Sequence, residues 1–244
     1  MPTPTVVFGL VGEGHRDQML VEALLDHLQK THPSPIHLVP HRLQPAYTDA
    51  TRRRKTEGGD DKARLWCQTS PADRTRLAFS PPFPTSDKPA CDIVVIVHDA
   101  DNLQVMHDRE PSIPLPTPPW DAPTRSRYVE SVIDHWLWPS SSDRTTGNRH
   151  DDYAIVAAVR ALESWYVAAL DTTKLTPEEL DAVSCLITLR PDMEDAGKPG
   201  KLKKFRVNSK YEEFNRSLVE RIDHVATVCP QFHRLLDTLR QRLP

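Results

Sequence analysis

Cysteine is scarce in this chain, and the four present, Cys67, Cys91, Cys185 and Cys229, lie far apart and never form a C-x-x-C pair. That spacing argues against a disulfide scaffold and against a structural zinc site. Long hydrophobic runs are also missing. No apolar stretch approaches the roughly 20 residues that a membrane-spanning helix needs. The opening Met-Pro-Thr-Pro-Thr enters a strand-like run without a basic region or a cleavage signal, so the expectation is a cytoplasmic protein with no membrane contact. Charge of one sign is lacking as well: 31 Lys and Arg face 34 Asp and Glu, for a formal net charge of −3. Bulk attraction therefore cannot coat nucleic acid, and any such contact needs a local patch. Two stretches qualify, Arg52, Arg53, Arg54 and Lys55, and later Lys198, Lys201, Lys203, Lys204 and Arg206. Each reads equally well as a solvated basic loop.

Several motifs are absent. There is no Walker lysine motif and no H-E-x-x-H, and the glycines after the first strand are spaced G-x-x-G-x-G, not G-x-G-x-x-G. His32, His37 and His41 are unevenly spaced among prolines and read as surface histidines, and Ser140, Ser141 and Ser142 form a polar loop with no nucleophile elbow. Trp120, Trp136, Trp138 and Trp165 are expected as core and loop anchors.

What is present is an alternation of strands and helices. Thr5 to Val11 is continuously apolar and β-branched, as a parallel strand buried on both faces should be. Gly12-Glu13-Gly14 forms a turn, and Arg16 to Lys30 has apolar residues at helical spacing, with Asp17 near the positive helix start. Ile36 to Val39 is a second strand. Cys91 to Val97 is the clearest strand, and it runs into His98-Asp99-Ala100-Asp101-Asn102. A proline-rich loop from Pro111 to Pro123 precedes a helix over Arg125 to Trp138, and Tyr153 to Val159 reads as another buried strand or a strand-helix junction, continuing into Arg160 to Leu170. The pattern predicts an α/β domain over 1–170, with a mostly parallel sheet flanked by helices and an insertion at about 44–90 that has short helices near Lys62 to Trp66 and Ala72 to Phe79. A helical C-terminal extension over 171–244 packs on the same domain. In it Thr176 caps a helix to Leu186 with Pro177 at its first position, and Lys210 to Val228 and Phe232 to Leu243 are further helices.

In open α/β sheets ligands collect at the carboxyl ends of the strands. Glu13 follows one strong strand, and Asp99 and Asp101 follow another. If those strands are neighbours, three carboxylates converge, and a hard divalent cation, Mg²⁺ or Mn²⁺, relieves their repulsion. Taken singly, Glu13 also reads as a solvated turn acid, and Asp99 and Asp101 as a helix cap and a surface acid.

These residues resemble a family. V-G-E-G-H-R-D is similar to the E-G-x-x-D opening of TOPRIM domains, and V-I-V-H-D-A-D-N resembles their D-x-D strand end. The stretch Ala154 to Leu170, with the later K-Y-x-x-F and C-P-x-F elements, is similar to small stand-alone bacterial TOPRIM-like proteins, and the OLD-type nucleases share the domain. The resemblance implies a TOPRIM/Rossmann-like fold and metal-dependent chemistry at a phosphodiester of DNA or RNA. Glu13 then matches a metal ligand or general acid/base, and Asp99 and Asp101 match the metal pair. Glu163 is a further acid, and Lys201, with Lys203 and Lys204, supplies positive charge from the G-K-P-G-K segment. The spacer between Glu13 and Asp99 is long for the family and no topoisomerase tyrosine can be assigned, so a nuclease, as an effector in antiphage defence, is the expected member. The alternative is a non-catalytic interaction subunit of a larger assembly, and homodimerisation stays open. A phosphoacceptor receiver domain also groups acids at strand ends, but it needs a lysine on the last strand, where this chain has none.

Overall fold

The computed structural model describes residues 2–44, 60–80, 89–145, 150–159, 162–202 and 208–244. Arg52, Arg53, Arg54, Lys55, Lys203, Lys204 and Arg206, which carried the basic-patch expectations, fall outside these residues. Four strands, β1 (Thr5–Gly12), β2 (His37–Gln44), β3 (Ile93–Asp99) and β4 (Tyr153–Ala158), form one sheet in the order β2-β1-β3-β4. Every pairing is parallel. Helices follow in chain order: α1 (His15–Thr31), α2 (Asp60–Cys67), α3 (Pro71–Ala78), α4 (Leu103–Arg109), α5 (Ala122–Leu137), α6 (Ser141–Thr145), α7 (Glu163–Leu170), α8 (Ala182–Leu189), α9 (Asn208–Glu220), α10 (Ile222–Val228) and α11 (Pro230–Arg240). This is the expected Rossmann-like α/β architecture, and among the described residues no helix is long and apolar enough to cross a membrane.

The apolar runs of β1 and β3 serve two cores because successive strand residues face opposite sides of a sheet. Phe8 and Leu10 of β1, with Val95 and Val97 of β3, join α1, α7 and the C-terminal helices through Leu24, Trp165, Phe214, Phe232 and Leu236. Val7 and Val11, with Val94 and Ile96, face the other way onto Trp66, Val129, Val132 and Trp136. The C-terminal extension thus shares a core with the sheet.

The insertion is anchored by Arg74, whose fully buried guanidinium donates to the carbonyls of Cys67 (2.7 Å), Thr69 and Leu137 and stacks over Trp138. Edge strand β4 is closed at one end by Glu130 of α5. Its carboxylate accepts from the Ala157 N–H at 3.2 Å and pairs with Arg234 of α11 at 2.6 Å, which blunts an edge that could otherwise recruit another strand.

One expectation fails in the extension. Thr176 makes no side-chain cap, Pro177–Glu179 is a single 3₁₀ turn, and the helix starts only at Ala182 with Asp181 as its cap. The cause is Glu178, which is 2% exposed and turned inward to accept from Trp165 Nε1 (2.9 Å) and Gln231 N (3.2 Å) at the start of α11. Continuing the helix from Pro177 would conflict with that inward turn. The predicted single helix from Lys210 to Val228 is instead two, α9 and α10, broken at Arg221.

Candidate active site at the sheet switch point

Strand order 2-1-3-4 reverses direction between β1 and β3, which is where doubly wound sheets open a crevice at their carboxyl ends. Both acidic motifs end there. The parallel register sets Gly12 opposite Val97, so the turn after β1 and the last residue of β3 are side by side. Glu13 Oε1 accepts the Asp99 N–H at 2.9 Å and lies 3.0 Å from His98 Nδ1.

Asp17, in the first turn of α1, is 8% exposed and accepts the Gly14 N–H at 2.8 Å. Its approach requires glycine at position 12, because a Cβ there would meet Asp17 Cβ and Oδ2 at 2.7 Å. Glu163, 9% exposed, opens α7 and accepts from Arg16 Nη1 at 3.3 Å. Asp101 is exposed in the loop after β3. Arg125 fixes that loop by donating to the carbonyls of Ala100 (3.3 Å) and Asp101 (3.1 Å), and Asn102 caps α4 through Val105 N.

Charge is concentrated here. Burial, then the charges of Glu13, Asp17, Glu163 and Asp101, raise the Asp99 pKa well above the usual carboxylate value. Burial and the Glu13 charge push Asp17 up to about 7. Burial also raises Glu163, against the opposing pull of Arg16. Glu13 is the exception. Burial would raise it, but the charge and hydrogen bond of His98, with the Asp99 N–H and Arg109, outweigh that and hold it low. His98 itself, though burial opposes its charge, is held at about 9 chiefly by Glu13. The site is therefore an ionised Glu13 clasped by an imidazolium, flanked by Asp17, Asp99 and Glu163, whose ionisation is unfavourable without further positive charge.

Glu13, Asp99, Asp101 and Glu163 are thus brought into one electrostatic neighbourhood. Among the described residues no three His, Cys, Asp or Glu side chains stand as a ready-made metal-binding group. The donor set itself fits a hard divalent cation: all its members are carboxylate oxygens, and they repel one another. Lys201 follows the Gly197–Gly200 segment. It is exposed in a turn closed by the Glu194–Leu202 bridge, with its carbonyl accepting from Asp195 N at 2.7 Å. Among the described residues it makes no ion pair with the acids.

Sequence reasoning missed His98 and undervalued Asp17. The signal for His98 was its position between an apolar strand and an acid, where a basic group has a carboxylate to neutralise. Its ring also packs edge-on against Trp136, with centroids 6.3 Å apart. No protein-family model, curated protein or solved structure matches the chain.

Proposed function

We propose that this chain is a Mg²⁺- or Mn²⁺-dependent phosphodiester-processing enzyme of the TOPRIM type, a nuclease acting on DNA or RNA, with Glu13, Asp99 and Asp101 as the groups that hold the metal. The observation that carries the reading is the juxtaposition of β1 and β3, which brings Glu13 into hydrogen-bond contact with the Asp99 backbone amid Asp17, Asp101 and Glu163. A bound divalent ion supplies an activated water and charge neutralisation at phosphorus. The chain's own residues do the rest. His98 holds Glu13 ionised, Arg125 fixes the backbone that carries Asp101, and the glycine at position 12 lets Asp17 close on the turn.

The test is cleavage of mixed DNA and RNA substrates with Mg²⁺ or Mn²⁺, comparing wild type with Glu13→Ala and with the Asp99→Ala, Asp101→Ala double variant. Metal-dependent cleavage lost in both folded variants supports the proposal, and a wild type that cleaves nothing overturns it. One observation favours a second reading, a non-catalytic interaction subunit. Glu13 Oε1 is already engaged by His98 and the Asp99 N–H, an arrangement that also suits a purely structural acid.

A further inference from the structure

Beside the acids, on the face of the sheet covered by the C-terminal helices, Arg16 and Tyr211 form a contact that the metal reading leaves unused. Arg16 lies in the first turn of α1, where the helix dipole favours anions. Its guanidinium stacks over the Tyr211 ring at 4.1 Å and meets Glu163 at 3.3 Å, with about a quarter of the side chain (23%) exposed. Tyr211 comes from α9, in the C-terminal extension, and is 5% exposed. Among the described residues its buried hydroxyl has no hydrogen-bond partner, although a buried phenol normally has one. Its neighbour Tyr166 differs, donating to Asn215 Oδ1 at 2.9 Å. Burial, with Glu163 adding to it and Arg16 opposing, pushes the Tyr211 hydroxyl up to about 12, so it remains a neutral donor.

Arg16, held at a helix N-terminus over the ring of a tyrosine whose hydroxyl donor is unsatisfied, supplies charge and, with that hydroxyl, donors suited to a tetrahedral anion. We propose that Arg16 and the Tyr211 hydroxyl form a phosphate-binding subsite next to the acids, and that Glu163 is a positioning residue that holds Arg16 and not a metal ligand. The inference deepens the phosphodiester reading and rests on it for the identity of the anion. It also gives the C-terminal extension a role in the site, because α9 delivers Tyr211.

The experiment measures binding of a labelled single-stranded DNA oligonucleotide to the full chain across a salt series, with inorganic phosphate as competitor and Mn²⁺ alone titrated separately. Arg16→Ala is made in the Glu163→Gln background, so that no buried carboxylate is left unpaired, and is compared with Glu163→Gln itself. The expected result is about tenfold weaker oligonucleotide binding, a salt slope smaller by about 0.7, the signature of one lost phosphate contact on a single strand, and unchanged Mn²⁺ binding. Tyr211→Phe keeps the ring beneath Arg16. It is expected to raise the melting temperature, by removing an unsatisfied hydroxyl, while weakening the oligonucleotide about fivefold, the effect of one neutral hydrogen bond. Competition by inorganic phosphate in wild type that is lost with Arg16→Ala points to the phosphate group alone as the ligand, and failure to compete points to the polynucleotide backbone. Either outcome supports the subsite. Mn²⁺ binding with oligonucleotide affinity and salt slope unaltered by both variants overturns the subsite and leaves the metal reading standing. Arg16-dependent oligonucleotide binding without Mn²⁺ binding supports the subsite and overturns the metal reading.

Discussion

Glu178 makes the protein's stability depend on pH in a predictable direction. Its carboxylate is buried against Trp165 and accepts from the start of α11. Burial outweighs those favourable hydrogen bonds and raises its pKa from 4.5 to about 7. Below the unfolded value both states carry the proton. Between the two values the unfolded chain has released its proton and the folded chain has not, so stability falls as pH rises, and it levels off above the folded value. The total loss is roughly 3 kcal/mol. Glu178→Gln keeps an oxygen acceptor for both donors but cannot ionise. Urea unfolding of wild type and variant over a pH series should therefore give curves that approach each other in acid and diverge by about that amount toward neutral pH, with the variant more stable. Because the rest of the molecule is common to both proteins, the difference isolates this one group. Curves that stay parallel across the series would refute the reasoning.

Three further outcomes follow from the site. His98, clasped by Glu13, should keep its imidazolium well above the ordinary histidine range near 6.5, to about 9, and NMR titration of its ring nitrogens checks this. Glu13→Gln should return it to or below the ordinary value, since burial alone favours the neutral ring. Gly12→Ala should destabilise by about 1–3 kcal/mol, the usual cost of overpacking, because the new methyl meets Asp17 at 2.7 Å. Calorimetric melting measures it, and a neutral result would mean that Asp17 moves aside freely.

The sheet was legible because β1 and β3 are buried on both faces, and such strands must read as unbroken apolar runs. The acids at their ends were legible for the same reason, since the runs stop where polar side chains begin. Their convergence was not, because adjacency of β1 and β3 is a property of the assembled sheet and the spacer between them carries no trace of it. Arg16, Glu163 and Tyr211 illustrate the limit: each is an ordinary helix residue in its own window, and only packing of α1, α7 and α9 makes them neighbours. The false helix start at Thr176 failed through a tertiary override. Its cap signal was sound, but Glu178 is drawn inward by a tryptophan and by a helix start more than fifty residues further along the chain.

The proposed function requires that the acids at the β1 and β3 ends hold a divalent cation. It is tested most directly by titrating Mn²⁺ into the wild-type chain and into Asp99→Asn, following heat and the electron-spin signal of free Mn²⁺. Saturable binding is expected in wild type and its loss in the variant, even though the variant, freed of a repelled buried carboxylate, is the more stable of the two without metal. Equal binding in both, or none in either, would contradict it.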